Sequence, residues 1–133
     1  MRKRDDDRPP VRLYRVILPV TDIEQAAAVY SKVLEMPGTR VSPGRHYFDC
    51  GGVILACYDA AADGDNERPR PNPEHIYLSV DDLEATLARM RAAGFAVAEE
   101  GIRTRPWGET SVYCHDPFGN PLCFVDGATV FLG

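Results

Sequence analysis

No stretch of this sequence is apolar for long enough to cross a bilayer. Runs such as Val53 to Cys57 and Ala26 to Tyr30 last only a few residues, where a spanning helix needs roughly 20. A basic excess is missing too. Fifteen Lys and Arg stand against twenty Asp and Glu, and the net charge of -5 argues against a nucleic-acid-binding face. Arg2, Lys3 and Arg4 are followed by acids rather than by an apolar stretch, so no secretory signal is expected. The four cysteines (Cys50, Cys57, Cys114 and Cys123) form no Cys-x-x-Cys pair and lie in otherwise apolar segments. Reduced, mostly buried thiols in a cytoplasmic protein are therefore expected. What remains is 133 residues, 44% hydrophobic and 26% charged, the profile of one soluble globular domain or of two small halves sharing a core.

An internal repeat is present. Arg15-Val16-Ile17-Leu18-Pro19-Val20-Thr21-Asp22-Ile23-Glu24 lies over His75-Ile76-Tyr77-Leu78-Ser79-Val80-Asp81-Asp82-Leu83-Glu84, with Leu, Val, Asp and Glu coinciding. Further on, Gly52 to Asp59 lies over Gly119 to Asp126, with Gly, Leu and Asp in register. Two matches in the same order point to a duplicated unit.

Each copy reads as strand, helix and three strands. Leu13 to Pro19 is a β-rich run, and Thr21-Asp22 supplies a helix N-cap. Ile23, Ala26, Ala27, Tyr30, Val33 and Leu34 recur at helical spacing until Pro37-Gly38. Val41, His46 to Cys50 and Val53 to Tyr58 follow as strands. In the second copy the strand is His75 to Val80, the cap is Asp81-Asp82, and the stripe is Leu83, Leu87 and Met90, ending at Gly94. Phe95 to Ala98, Ser111 to His115 and Leu122 to Val125 complete it, with Asp116 to Asn120 as a turn. The expected organisation is a flexible tail at 1–10, a first module at 11–60, an exposed Pro-rich linker at 61–74, a second module at 75–127 and a C-terminal tail at 128–133, with Val130 and Phe131 as the docking side chains of that tail.

The repeated unit, with Arg105-Pro106-Trp107-Gly108 and then Asp116-Pro117-Phe118-Gly119-Asn120 before an apolar strand, resembles the vicinal oxygen chelate superfamily. This is the group of glyoxalases, bleomycin resistance proteins and extradiol dioxygenases, and the Pro-Trp-Gly segment looks most like its bleomycin-resistance branch. The resemblance implies an α+β fold in which two tandem βαβββ modules form a curved mixed sheet with an open cup, helices on the outside. It also implies a homodimer whose paired protomers cover exposed sheet edges and enclose the ligand.

Metal-using relatives place their ligands on the first and last strands of each unit, which the repeat carries onto Arg15, Ala56, His75 and Cys123. A guanidinium has no lone pair to give, and alanine has no donor. Of the other two, His75 is a good ligand, while Cys123 ligates only as a thiolate. No cofactor is therefore expected. The leading expectation is capture of a small aromatic or anionic molecule in a metal-free cup, for sequestration or resistance. The alternative is a glyoxalase-like isomerase or lyase using His75 as base with a divalent metal.

Arg15 points to one face of its strand, where it either holds an anion or pairs with an acid such as Glu109. His75 is either a base or donor in the cup or a structural histidine. Cys123 reads as a reactive thiol or as packing, and Trp107 as a stacking platform or a loop anchor. Tyr113 and Ser111 share strand parity, as do Tyr77, Ser79 and His75. Of these, Tyr113, Ser111 and Tyr77 are further ligand-binding candidates, and Arg103 sits at the expected mouth. His46 and His115 are expected at the surface or in turns.

Overall fold

The computed structural model describes residues 9–133, and residues 1–8, most of the expected N-terminal tail, lie outside the described residues. The first module runs β1 (Arg15–Pro19), α1 (Ile23–Leu34), β2 (Thr39–Ser42), β3 (Arg45–Cys50) and β4 (Val53–Tyr58). The second runs β5 (Ile76–Val80), α2 (Leu83–Ala92), β6 (Ala96–Val97), β7 (Arg103–Thr104), β8 (Thr110–His115) and β9 (Pro121–Asp126), followed by a 3-10 turn at Gly127–Thr129. Each module has the strand, helix and strands that the repeat predicts, with β7 in addition. β6 and β7 pair with opposite halves of β8, so together they fill the place of one strand interrupted at 98–102. Neither α1 nor α2 is long and apolar enough to cross a membrane.

Strand order is β1-β4-β3-β2 in one sheet and β5-β9-β8-β6 in the other, with β7 beside β8. β1 runs parallel to β4 as β5 does to β9, and the remaining pairs are antiparallel. The same order twice is what a duplicated unit requires.

The helices begin where their caps place them. Asp22 accepts from the Gln25 amide at 3.1 Å, and Asp82 from the Ala85 amide at 3.0 Å. Glu35, at φ 57°, terminates α1 in the left-handed region, and Gly94, at φ 86°, follows α2. α1 buries Ile23, Ala26, Tyr30 and Val33, and α2 buries Leu83, Thr86, Leu87 and Met90. All of these but Thr86 belong to one apolar core that also holds Leu18, Phe48, Phe95 and Phe124, so both modules share it. Tyr30 is the bridge: its ring lies 5.5 Å edge-on to Phe95, and its hydroxyl donates to Asp116 at 2.6 Å. Burying each large side chain of this core contributes roughly 2 kcal/mol.

The curved sheet is divided in two, and the reason lies at the free edge of β1. The Ile17 carbonyl accepts from the Asn72 side-chain amide at 2.9 Å, and the Pro19 carbonyl from that of Asn120 at 2.7 Å. Pro19 has no N–H to offer. Side-chain amides thus occupy acceptors that a backbone strand would need, and β5 remains the edge of its own sheet. Asn120 is held in turn by the β8–β9 turn. Asp116 accepts from the Phe118 and Asn120 amides, and Gly119, at φ 89°, lies so close to Pro71 that a Cβ would stand 3.1 Å from it.

The segment 61–74 is tied at both ends. Asp63 accepts from Ser42 Oγ at 2.9 Å, the Gly44 amide at 2.6 Å and Arg45 Nη1 at 2.7 Å, and Asn72, besides its side-chain bond to Ile17, donates its backbone amide to Asn120 Oδ1 at 2.9 Å. His46 is buried rather than at the surface. It packs 5.1 Å from Phe48, accepts from Arg40 Nε at Nδ1 and so donates from Nε2 to the Pro37 carbonyl at 2.9 Å. At the C-terminus, Phe131 docks through its amide, which donates to Glu109 at 2.9 Å, while the Val130 and Phe131 side chains stay exposed.

Candidate functional site

Pairing registers decide which side chains share a face. In the first module, Arg15 and Ile17 lie beside Ile54 and Ala56, with Tyr47 next in the row. Val16, Leu18 and Val20 point the other way, toward the core. The Arg15 guanidinium stands 5.0 Å from the Tyr14 ring and 5.4 Å from the Tyr47 ring, so its charge lies over aromatic faces. It does not pair with Glu109, whose carboxylate is taken by the Trp107 indole N–H at 2.9 Å and the Phe131 amide.

In the second module, Tyr77, Cys123 and Tyr113 form one row across β5, β9 and β8. Ser79, Val125, Ser111 and Arg103 form the next. His75 lies edge-on to Tyr113 at 5.0 Å, with Tyr77 at 6.4 Å and His115 at 6.3 Å. The Tyr77 and Tyr113 hydroxyls are 3.4 Å apart. That hydrogen bond, together with partial burial, pushes the Tyr113 pKa up to about 12. Tyr77 is 57% exposed, so the face is open to a ligand.

Arg105, which the residue pattern did not single out, organises this face. Its guanidinium sits 4.8 Å over the Tyr113 ring, Nε donates to Ser111 Oγ at 2.9 Å, and Nη1 pairs with Glu100 at 2.9 Å. The signal was present in the i, i+2 spacing from Arg103, which puts both arginines on one side of an extended segment. Arg103 itself is exposed on β7. His115 is exposed at the end of β8, as expected, and stands beside His75.

Cys123 is fully buried under this face. Burial raises its thiol pKa, although the neighbouring Ser111 and Tyr113 hydroxyls pull the other way. Burial likewise pushes Cys57 and Cys114 up to about 12. None of these thiols is activated as a nucleophile. Trp107 stands at the tip of the β7–β8 hairpin, 49% exposed and bonded to Glu109. The structure thus gathers His75, Tyr77, Cys123 and Arg105 around Tyr113, with Ser111 bonded to Arg105. Among the described residues, no hydrogen bond, ion pair or ring contact joins Arg15 or Trp107 to that group.

The places that carry metal ligands in relatives do not fit a divalent ion here. Arg15 is a cation, Ala56 carries no donor and Cys123 is a buried thiol, leaving only the His75 imidazole.

A sequence model described as Glyoxalase/Bleomycin resistance protein/Dioxygenase superfamily matches residues 12–124. The chain belongs to this superfamily. Solved structures of the glyoxalase fold resemble it along most of its length. A glyoxalase-related enzyme from Fulvimarina pelagi superposes with a TM-score of 0.73 at 19% identity, covering 92% of each chain. A glyoxalase/bleomycin resistance protein from Albidiferax ferrireducens gives 0.72 at 20% identity, covering 85% of this chain and 97% of the other. A lactoylglutathione lyase from Agrobacterium tumefaciens gives 0.66 at 25% identity, covering 90% of this chain and 96% of the other. No curated protein sequence matches. Within the superfamily, the glyoxalase fold supplies the two sheet faces, and the side chains on them decide the chemistry.

Proposed function

We propose that this glyoxalase-fold protein captures a small aromatic or anionic molecule on its sheet faces without a resident metal, in the manner of a bleomycin-resistance-like binder. The observation that carries this reading is the cluster of Arg105, Tyr113, His75 and Tyr77. It joins a guanidinium, two phenols and an imidazole on one open face, with only one metal donor among the four inherited places. Planar rings gain from offset or edge contact with such side chains, and an anion gains from Arg15, since Arg105 is already paired with Glu100. The faces belong together across a homodimer, the Arg15 face of one copy meeting the His75 face of its partner. In support, Tyr14, Ile17 and Tyr77 are each more than two-fifths exposed within one chain.

Calorimetric titration with naphthalene-2-sulfonate tests the reading. Saturable binding is expected, with Arg15→Gln and Tyr77→Ala each weakening it about tenfold, equivalent to about 1.4 kcal/mol. No binding, or equal binding by both variants, would sink it. The enzymatic reading, an isomerase or lyase with His75 as base, draws on the neighbouring His75 and His115 imidazoles. Stoichiometric metal in protein purified without chelator, lost in His75→Ala, would favour that reading instead.

A further inference from the structure

A groove borders the faces just described and shares Tyr77 and Ser79 of β5 with them. Asn72 and Asn120 hold β5 off β1 at the Ile17–Pro19 end. Beyond this wedge a groove of about 760 Å³ opens between the modules on their core-facing side, a volume typical of small-molecule sites. Its walls include Val16, Leu34, Met36, Leu55, Ile76 and Leu78, so both modules contribute apolar surface.

The rim has a different character. Glu35, Asp49, Asp81 and Asp82 line it, and Arg89 is the one basic side chain there. Arg89 is already committed. It donates from Nε to the Val33 carbonyl at 3.2 Å and from Nη2 to Thr86 at 3.2 Å, and it pairs with Glu35 at 3.5 Å. Asp49 and Asp82 accept from the backbone amides of Gly52 and Ala85, which order their carboxylates without neutralising them. Three carboxylates from two separate junctions, β3–β4 and β5–α2, thus bracket the mouth of an apolar groove. An apolar chain displacing water from the floor is favoured. A cation at the rim is attracted, and an anion repelled.

We propose that this groove binds a cationic amphiphile, an apolar chain ending in an ammonium group. The site adjoins the aromatic face around Tyr113 along β5, and its charge preference comes from its own carboxylates.

Octyltrimethylammonium, titrated below its micellar concentration into the full chain, is the probe. One equivalent is expected to bind, with amide shifts confined to β5 and the end of α1. Octanoate, with a similar chain and the opposite charge, and tetramethylammonium, with the charge and no chain, should each bind at least tenfold more weakly. Asp49→Asn with Asp81→Asn keeps the acceptor for Gly52 and should weaken octyltrimethylammonium about tenfold. Equal binding of octanoate, or shifts confined to the Tyr113 and His75 side chains instead, would overturn the proposal, and this headgroup comparison stands even if the double variant fails to fold. Loss of naphthalene-2-sulfonate binding alone would count against the proposed function and leave the groove untouched.

Discussion

Glu109 shows how much one carboxylate can hold. It accepts from the Phe131 amide and from the indole of Trp107, the only tryptophan, and these two bonds hold its pKa below the usual carboxylate value. A group with a depressed folded pKa contributes its ordering above the unfolded value and loses it as pH falls through the folded one. Tryptophan emission is therefore expected to stay flat from neutrality to about pH 5 and to change below about pH 4. Glu109→Gln should abolish that transition, and fluorescence titration of both proteins checks it. At the alkaline end the sign reverses. Tyr113 carries a pKa raised to about 12 by Tyr77 and partial burial, so its contribution is present below about pH 10 and lost as pH climbs toward the raised value. Tyr77→Phe should bring phenolate absorbance at Tyr113 to lower pH in a spectrophotometric titration.

Among elements, the parts legible in the sequence are those whose partners lie nearby. The caps Asp22 and Asp82 bond three residues ahead, and the Asp116–Asn120 turn closes on itself. Strand parity likewise placed His75 and Tyr77 on a common face, because alternation is local, while Cys123 came to that face through the repeat. The wedge was not legible. Asn72 reaches Ile17 across 55 residues and Asn120 reaches Pro19 across 101, and neither leaves a periodic trace. His46 and Arg105 were not legible for another reason: their partners Pro37 and Tyr113 lie near in sequence but are reached around a turn, which strand alternation does not encode. Asn120 is fully buried and satisfies Asp116, Asn72 and Pro19 together. Asn120→Ala strands several of these groups and should cost about 2–4 kcal/mol in urea unfolding. Tyr30→Phe removes a single donor from buried Asp116 and should cost about 1–3 kcal/mol.

For the whole molecule, duplication of the unit did not produce two independent folding units. Leu18, Tyr30 and Phe48 from one copy pack in the same cluster as Met90, Phe95 and Phe124 from the other. Each copy on its own would expose half of that surface to water. A polypeptide of residues 75–133 alone is expected to lack a cooperative thermal transition, as differential scanning calorimetry would reveal. Association should show at this scale too, since light scattering is expected to return about twice the chain mass of 14.7 kDa. A mass matching one chain would separate the two sheet faces for good.

Asp63 anchors one end of the inter-module segment to the β2–β3 turn and Asn72 anchors the other to β1 and Asn120, so residues 65–70 carry little of the attachment between the halves. Continuity of the backbone there is dispensable in principle. A protease nick within that stretch should leave two pieces that migrate together on a native gel, and the same gene divided at that point should yield halves that reassemble when co-expressed.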